Sequence, residues 1–98
     1  MKILALEREL RSSKEGDFLP HLKAEAARVW QLYQDGVVRE IYFRADVRAA
    51  VLILECENQE EAQKILGTLP LVKEGLITFD IIPLVAYPGF SRLFAAQP

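Results

Sequence analysis

The chain has 98 residues, of which 51% are hydrophobic and 27% charged, with a formal net charge of -2. This is the composition of one globular domain and excludes a disordered segment. The slightly acidic balance argues against nucleic-acid binding and against a polybasic membrane-surface role, and no apolar run nears the roughly 20 residues needed to cross a bilayer.

Charge arrives at Glu7, too early for a signal-peptide core of about 7–15 apolar residues. The single cysteine, Cys56, leaves no internal disulfide, as expected in a reducing compartment. The expected location is therefore cytoplasmic, with no nucleic-acid and no membrane partner.

In chain order, Lys2–Glu9 (KILALERE) is an apolar strand that ends in charge. Leu10–Phe18 is a polar loop. Pro20 can open a helix, because the N–H it lacks has no partner in a first turn. From Pro20 to Asp35 the apolar residues recur at helical spacing, and Leu22, Ala26, Val29, Trp30 and Tyr33 form one stripe that Leu19 could extend. Gly36 stands where a residue beyond the C-cap is expected.

Val37–Arg44 (VVREIYFR) is a strand, with Val37, Arg39, Ile41 and Phe43 on one face and Val38, Glu40, Tyr42 and Arg44 on the other. Ala45–Arg48 has hairpin length, and Ala49–Cys56 is the returning strand. Asn58 offers an N-cap, with Glu61 three residues on. The helix it opens runs to about Leu66, with Ala62, Ile65 and Leu66 inward, and ends at Gly67. Thr68–Gly75 turns back, and Leu76–Pro83 is the last strand. In the tail, Phe90, Leu93 and Phe94 are expected to pack.

This order is the split βαββαβ, a ferredoxin-like α+β arrangement with a four-stranded antiparallel sheet. The expectation is one domain over 1–98, with 84–98 a C-terminal segment packing on a dimer. The first and third strands are central. Ala49–Cys56 has no polar face until Glu55, so both its faces should be covered, yet two helices cover only one. A second copy of the chain through a two-fold axis is the simplest cover for the other. The charged second strand then lies at the edge, where charge discourages uncontrolled pairing.

The run from Leu22 to Arg92 resembles the muconolactone isomerase family, a member of the dimeric α/β-barrel group. Lys23, Ala24 and Glu25 match its helix start, and Gly36 and Arg39 its second strand. Leu69, Pro70 and Leu71 match its LPL turn, and Pro83, Leu84, Pro88 and Arg92 its C-terminal segment. The family's second helix glutamate is Ala26 here. The resemblance implies a homodimer, open to further assembly into rings, and a pocket between sheet and helices. It also implies a cofactor-free proton shift on an unsaturated lactone or organic acid.

Such chemistry needs a carboxylate or imidazole near neutral pKa, and a cation or hydroxyl for an oxyanion or a substrate carboxylate. Glu25 is the candidate acid/base, against the commoner state of an exposed helix glutamate. Arg39 is the candidate anion holder, and Tyr42 a candidate pocket donor. His21, Tyr33 and Arg44 are candidate ligand contacts. Alternation puts Arg39 and Arg44 on opposite faces, so at most one of them faces a pocket. No metal site is expected from one histidine and one cysteine, and no phosphate loop is present. Two alternatives stay open: a non-catalytic binding or assembly module, and a cofactor-free monooxygenase of the same group.

Overall fold

The computed structural model describes residues 1–10 and 14–94. Its strands are β1 (Lys2–Glu9), β2 (Val38–Phe43), β3 (Ala50–Glu55) and β4 (Ile77–Pro83). They form one antiparallel sheet in the order β2-β3-β1-β4, so β1 and β3 are central, as the element order requires. The helices are α1 (Glu15–Phe18), α2 (Leu22–Gln34), α3 (Gln59–Leu66) and α4 (Pro70–Lys73), with short 3-10 turns at Leu19–His21 and Gly89–Leu93.

Three local expectations are corrected. The stretch read as a loop contains the helical turn α1, where Lys14 N donates to Asp17 Oδ2 at 3.0 Å; residues 11–13 of that loop lie outside the described residues. Pro20 opens a 3-10 turn, and the α-helix starts at Leu22. Part of the Thr68–Gly75 turn is helical, because Pro70 at the first helical position loses no bond there.

Both longer reversals end on glycine. Gly36 has φ +78°, Gly36 N donates to Tyr33 O at 3.2 Å and Val37 N to Leu32 O at 3.0 Å. Gly75 has φ +71°, with the equivalent bonds to Val72 O and Leu71 O. These are Schellman motifs, which need a left-handed residue and therefore favour glycine. Asn58 caps α3 as its position suggests, its Oδ1 accepting from Glu61 N at 2.8 Å.

The core lies between one sheet face and the helices. Ile3, Ala5, Val38, Leu52 and Leu54 from the sheet meet Leu32, Ala62, Leu66 and Leu69. Simple alternation in β2 does not hold. Val38 pairs with Leu54 and Glu40 with Ile53, so one extra residue is inserted between them. This bulge moves Val38 onto the core face with Ile41 and Phe43, whose partners are Leu52 and Ala50.

The stripe on α2 is also corrected. Its buried residue is Leu32, whereas Leu22, Trp30 and Tyr33 are exposed. The stripe faces an open space, described below. The opposite sheet face presents Leu4, Leu6, Val51 and Ile53, with no helix over them among the described residues. Asp80 belongs to that face and pairs with Arg8 at 2.9 Å. Cys56 is buried and free, and burial pushes its thiol up, out of the reactive range.

Candidate active site

A cavity of about 660 Å³ opens between α2 and the β2 edge of the sheet. Its volume is that of a small-molecule site. Leu22, Ala26, Val29, Trp30 and Tyr33 form the helix wall. Ile41, Phe43, Leu52 and Phe79 form much of the sheet wall. The space persists because the large rings of α2 stand at its rim. Trp30 and Tyr33 stack on each other, with ring centroids 5.8 Å apart, and do not fill the gap.

Four charged side chains stand out on this apolar surface: Glu7, Glu25, Glu40 and Arg39. Glu25 comes from the first turn of α2. Its Oε1 accepts a hydrogen bond from Leu71 N at 2.9 Å, which ties α2 to the start of α4. Burial raises the Glu25 carboxyl above 4.5; the Leu71 bond opposes this and the charge of Glu7 adds to it. Glu25 therefore combines a fixed orientation with a pKa moved toward neutrality.

Glu7 escaped notice in the sequence, where it reads only as the charged end of a strand. Its signal was nevertheless present: period two from Ile3 and Ala5 carries Glu7 onto the helix-covered face of a central strand. Glu7 Oε1 accepts from Ala50 N at 2.9 Å. Burial raises its carboxyl too, with the Ala50 bond opposing and Glu9 adding. Among the described residues neither glutamate's Oε2 has a hydrogen-bond donor.

Arg39, the inserted residue of the β2 bulge, also lines the cavity. Its Nε donates to Gly36 O, within the turn that ends α2. That bond anchors the side chain and leaves both Nη groups for a carboxylate.

The other candidates are placed differently. Tyr33 is on the helix wall. Tyr42 touches the cavity at the strand edge, but its hydroxyl donates to Glu40 Oε1 at 2.8 Å on the outer side of β2. Arg44 makes a two-point pair with Asp46, at 2.9 and 2.6 Å, outside the cavity wall. His21 lies 3.9 Å from Glu74 Oε1, also outside it. Among the described residues no group of three or more His, Cys, Asp or Glu is placed to hold a metal ion. No helix there is long and apolar enough to cross a membrane.

Fold and cavity together define a ferredoxin-like α+β domain with a ligand-sized, acid-bearing site under its main helix. Residues 11–89 match the muconolactone delta-isomerase family. The chain belongs to that family. A search of curated proteins finds no match. Among solved structures, it is similar to 5-chloro-2-hydroxyhydroquinone dehydrochlorinase from Burkholderia phenoliruptrix, determined in complex with 2,5-dihydroxybenzoquinone. That likeness has a TM-score of 0.68 at 16% identity and covers 91% of this chain and 98% of the other. Identity this low speaks for the fold alone.

Proposed function

We propose that the protein is a cofactor-free isomerase that moves a proton on an unsaturated lactone or related organic acid. Glu25 carries the proton and Arg39 holds the substrate carboxylate or the developing oxyanion. The apolar wall excludes water, which strengthens both interactions. The carrying observation is the cavity itself. It brings a half-buried carboxylate of raised pKa and an anchored guanidinium to one apolar space of about 660 Å³.

The working unit is a cytoplasmic homodimer, formed through the uncovered sheet face, with the segment from Leu84 onward packing on the partner. Residues 95–98 of that segment lie outside the described residues. His21, Arg44 and the Tyr42 hydroxyl are given no role in the site, because each is committed elsewhere or stands outside the cavity wall.

The aromatic rim favours a second reading. Trp30, Tyr33 and Phe43 present exposed rings at the mouth, which suits a flat quinone- or hydroquinone-like ligand. The solved relative was captured with such a quinone.

Muconolactone in deuterated buffer, followed by proton NMR, separates these. The isomerase reading expects double-bond migration with solvent deuterium at the new C–H. Glu25→Gln should lower kcat about 10²–10⁴-fold. Wild-type protein that binds 2,5-dihydroxybenzoquinone but leaves the lactone unchanged would sink the isomerase reading in favour of the second.

A further inference from the structure

The cavity holds one carboxylate more than a single-base proton shuttle needs. Glu7 stands on the sheet wall and Glu25 on the helix wall of the same space. Each is held by one backbone amide, Ala50 N or Leu71 N, through its Oε1. A second cavity of about 410 Å³ also has Glu7 in its wall, so Glu7 stands where the two spaces adjoin. A structural glutamate that only tied β1 to the start of β3 would have no reason to face two open spaces. We infer that Glu7 is the second proton carrier of this site, working with Glu25 as a pair that handles one proton between two walls.

The pairing rests on geometry; its chemical use rests on the isomerase reading. The resting proton is assigned to Glu25, whose carboxyl is raised by burial and further by the charge of Glu7; that of Glu7 is raised by burial and further by Glu9. The Glu7 carboxylate then removes the proton from the γ carbon, beyond the double bond that is conjugated with the lactone carbonyl. That C–H bond breaks, an O–H bond forms on Glu7, and the electron pair moves through the double bond into the carbonyl as a dienolate. The Glu25 carboxylic acid gives its proton to the carbon next to the carbonyl, so its O–H breaks, a C–H forms and the double bond shifts. Glu7 is left protonated and Glu25 ionised, and one proton returns across the cavity through water once product leaves. No other reactant is required.

The charges around the pair select the substrate class. Glu9 lies on the same strand as Glu7, Glu40 and Arg39 come from β2, and Arg48 lines the adjoining cavity. Arg39 is the cation of the main cavity among the described residues. The substrate is therefore a monoanion, with its charge at Arg39 and its neutral carbonyl end at the carboxylates. A dianion would set a second charge against Glu7.

The test is a carboxyl-carbon NMR titration of glutamate-labelled wild type, Glu7→Gln and Glu25→Gln. Glutamine keeps an acceptor for the Ala50 or Leu71 amide. The expected result is that Glu7→Gln moves the Glu25 midpoint down, while Glu25→Gln, which mimics the protonated Glu25, leaves the Glu7 midpoint in place. With muconolactone, Glu7→Gln should lower kcat about 10²-fold or more and leave KM little changed. A Glu25 midpoint in Glu7→Gln that equals that of wild type overturns the pair, as does a fully active Glu7→Gln. If Glu7→Gln fails to fold, the Glu25 midpoint in Glu7→Ala decides instead. Wild type that ignores the lactone while its carboxyls titrate as a coupled pair refutes the isomerase reading and supports the pair.

Discussion

At the residue scale the site is a contest between burial and hydrogen bonding at two glutamates. Half-burial of a carboxylate disfavours its charge, and one backbone amide on each only partly offsets that. The consequence for stability has a definite sign. With the folded pKa above 4.5, the native state binds more protons than the unfolded chain between 4.5 and the raised value. Stability from Glu25 is therefore complete below pH 4.5 and is lost as pH rises through the folded pKa. Glu25→Gln mimics the neutral acid and should raise Tm at pH 8. The gain should shrink as pH falls and vanish by about pH 4, because wild-type Glu25 is itself neutral there. Melting curves across that range check it; a Tm gain that stays constant with pH would show that the carboxyl's ionisation is irrelevant.

At the element scale the cavity depends on where helices stop and where a strand slips. The Schellman turn at Gly36 returns the chain from α2 to β2 and supplies the carbonyl that anchors Arg39. A Cβ at Gly36 would meet Arg39 only at ordinary contact distance, 3.8 Å from Nε, so the cost of Gly36→Ala is confined to the backbone. At φ +78° that cost should be about 1–2 kcal/mol, read by urea denaturation with an unchanged slope. Stability equal to wild type would mean that the turn adopts another conformation. The β2 bulge has the second effect. Without its extra residue Val38 would leave the core for the uncovered face. Alternation read from the sequence put Arg39 beside Ile41 and Phe43 but missed Val38, because a bulge is a property of the pairing with β3.

At the scale of the whole molecule the chain is extended for its length. Its radius of gyration is 16.6 Å, against about 13 Å for a compact domain of this length, and its longest extent is 60 Å. Beyond β4, Val85, Tyr87, Phe90, Leu93 and Phe94 are all exposed. On the uncovered sheet face, Leu4, Leu6, Val51 and Ile53 form an apolar centre. Arg8–Asp80 and the Met1 ammonium with Glu55 lie around it as ion pairs. This pattern of apolar centre and polar rim is that of an interface. The expected solution mass is therefore at least twice the 11.1 kDa of the chain. Leu6→Arg should reduce the assembly to monomers by burying an unpaired charge. Light scattering coupled to gel filtration measures both, and a monomeric wild type would refute the dimer.

The amino-acid order alone settled the βαββαβ succession, the central place of β1 and β3 and the glycine-ended α2. Those features follow from short-range periodicity and turn chemistry, which are local in the chain. Glu25 and Arg39 came forward through the resemblance to the muconolactone isomerase family, with strand alternation placing Arg39 beside Ile41 and Phe43. What the tertiary structure decided was the company these residues keep. Glu7 and Glu25 are 18 positions apart in the chain, and no periodicity relates a strand residue to a helix residue across a cavity. Whether the Leu22–Tyr33 stripe would fill a core or wall an open space was likewise undetermined, because it depends on how far α2 stands off the sheet. Burial, and with it the raised carboxyls, exists only once that distance is set.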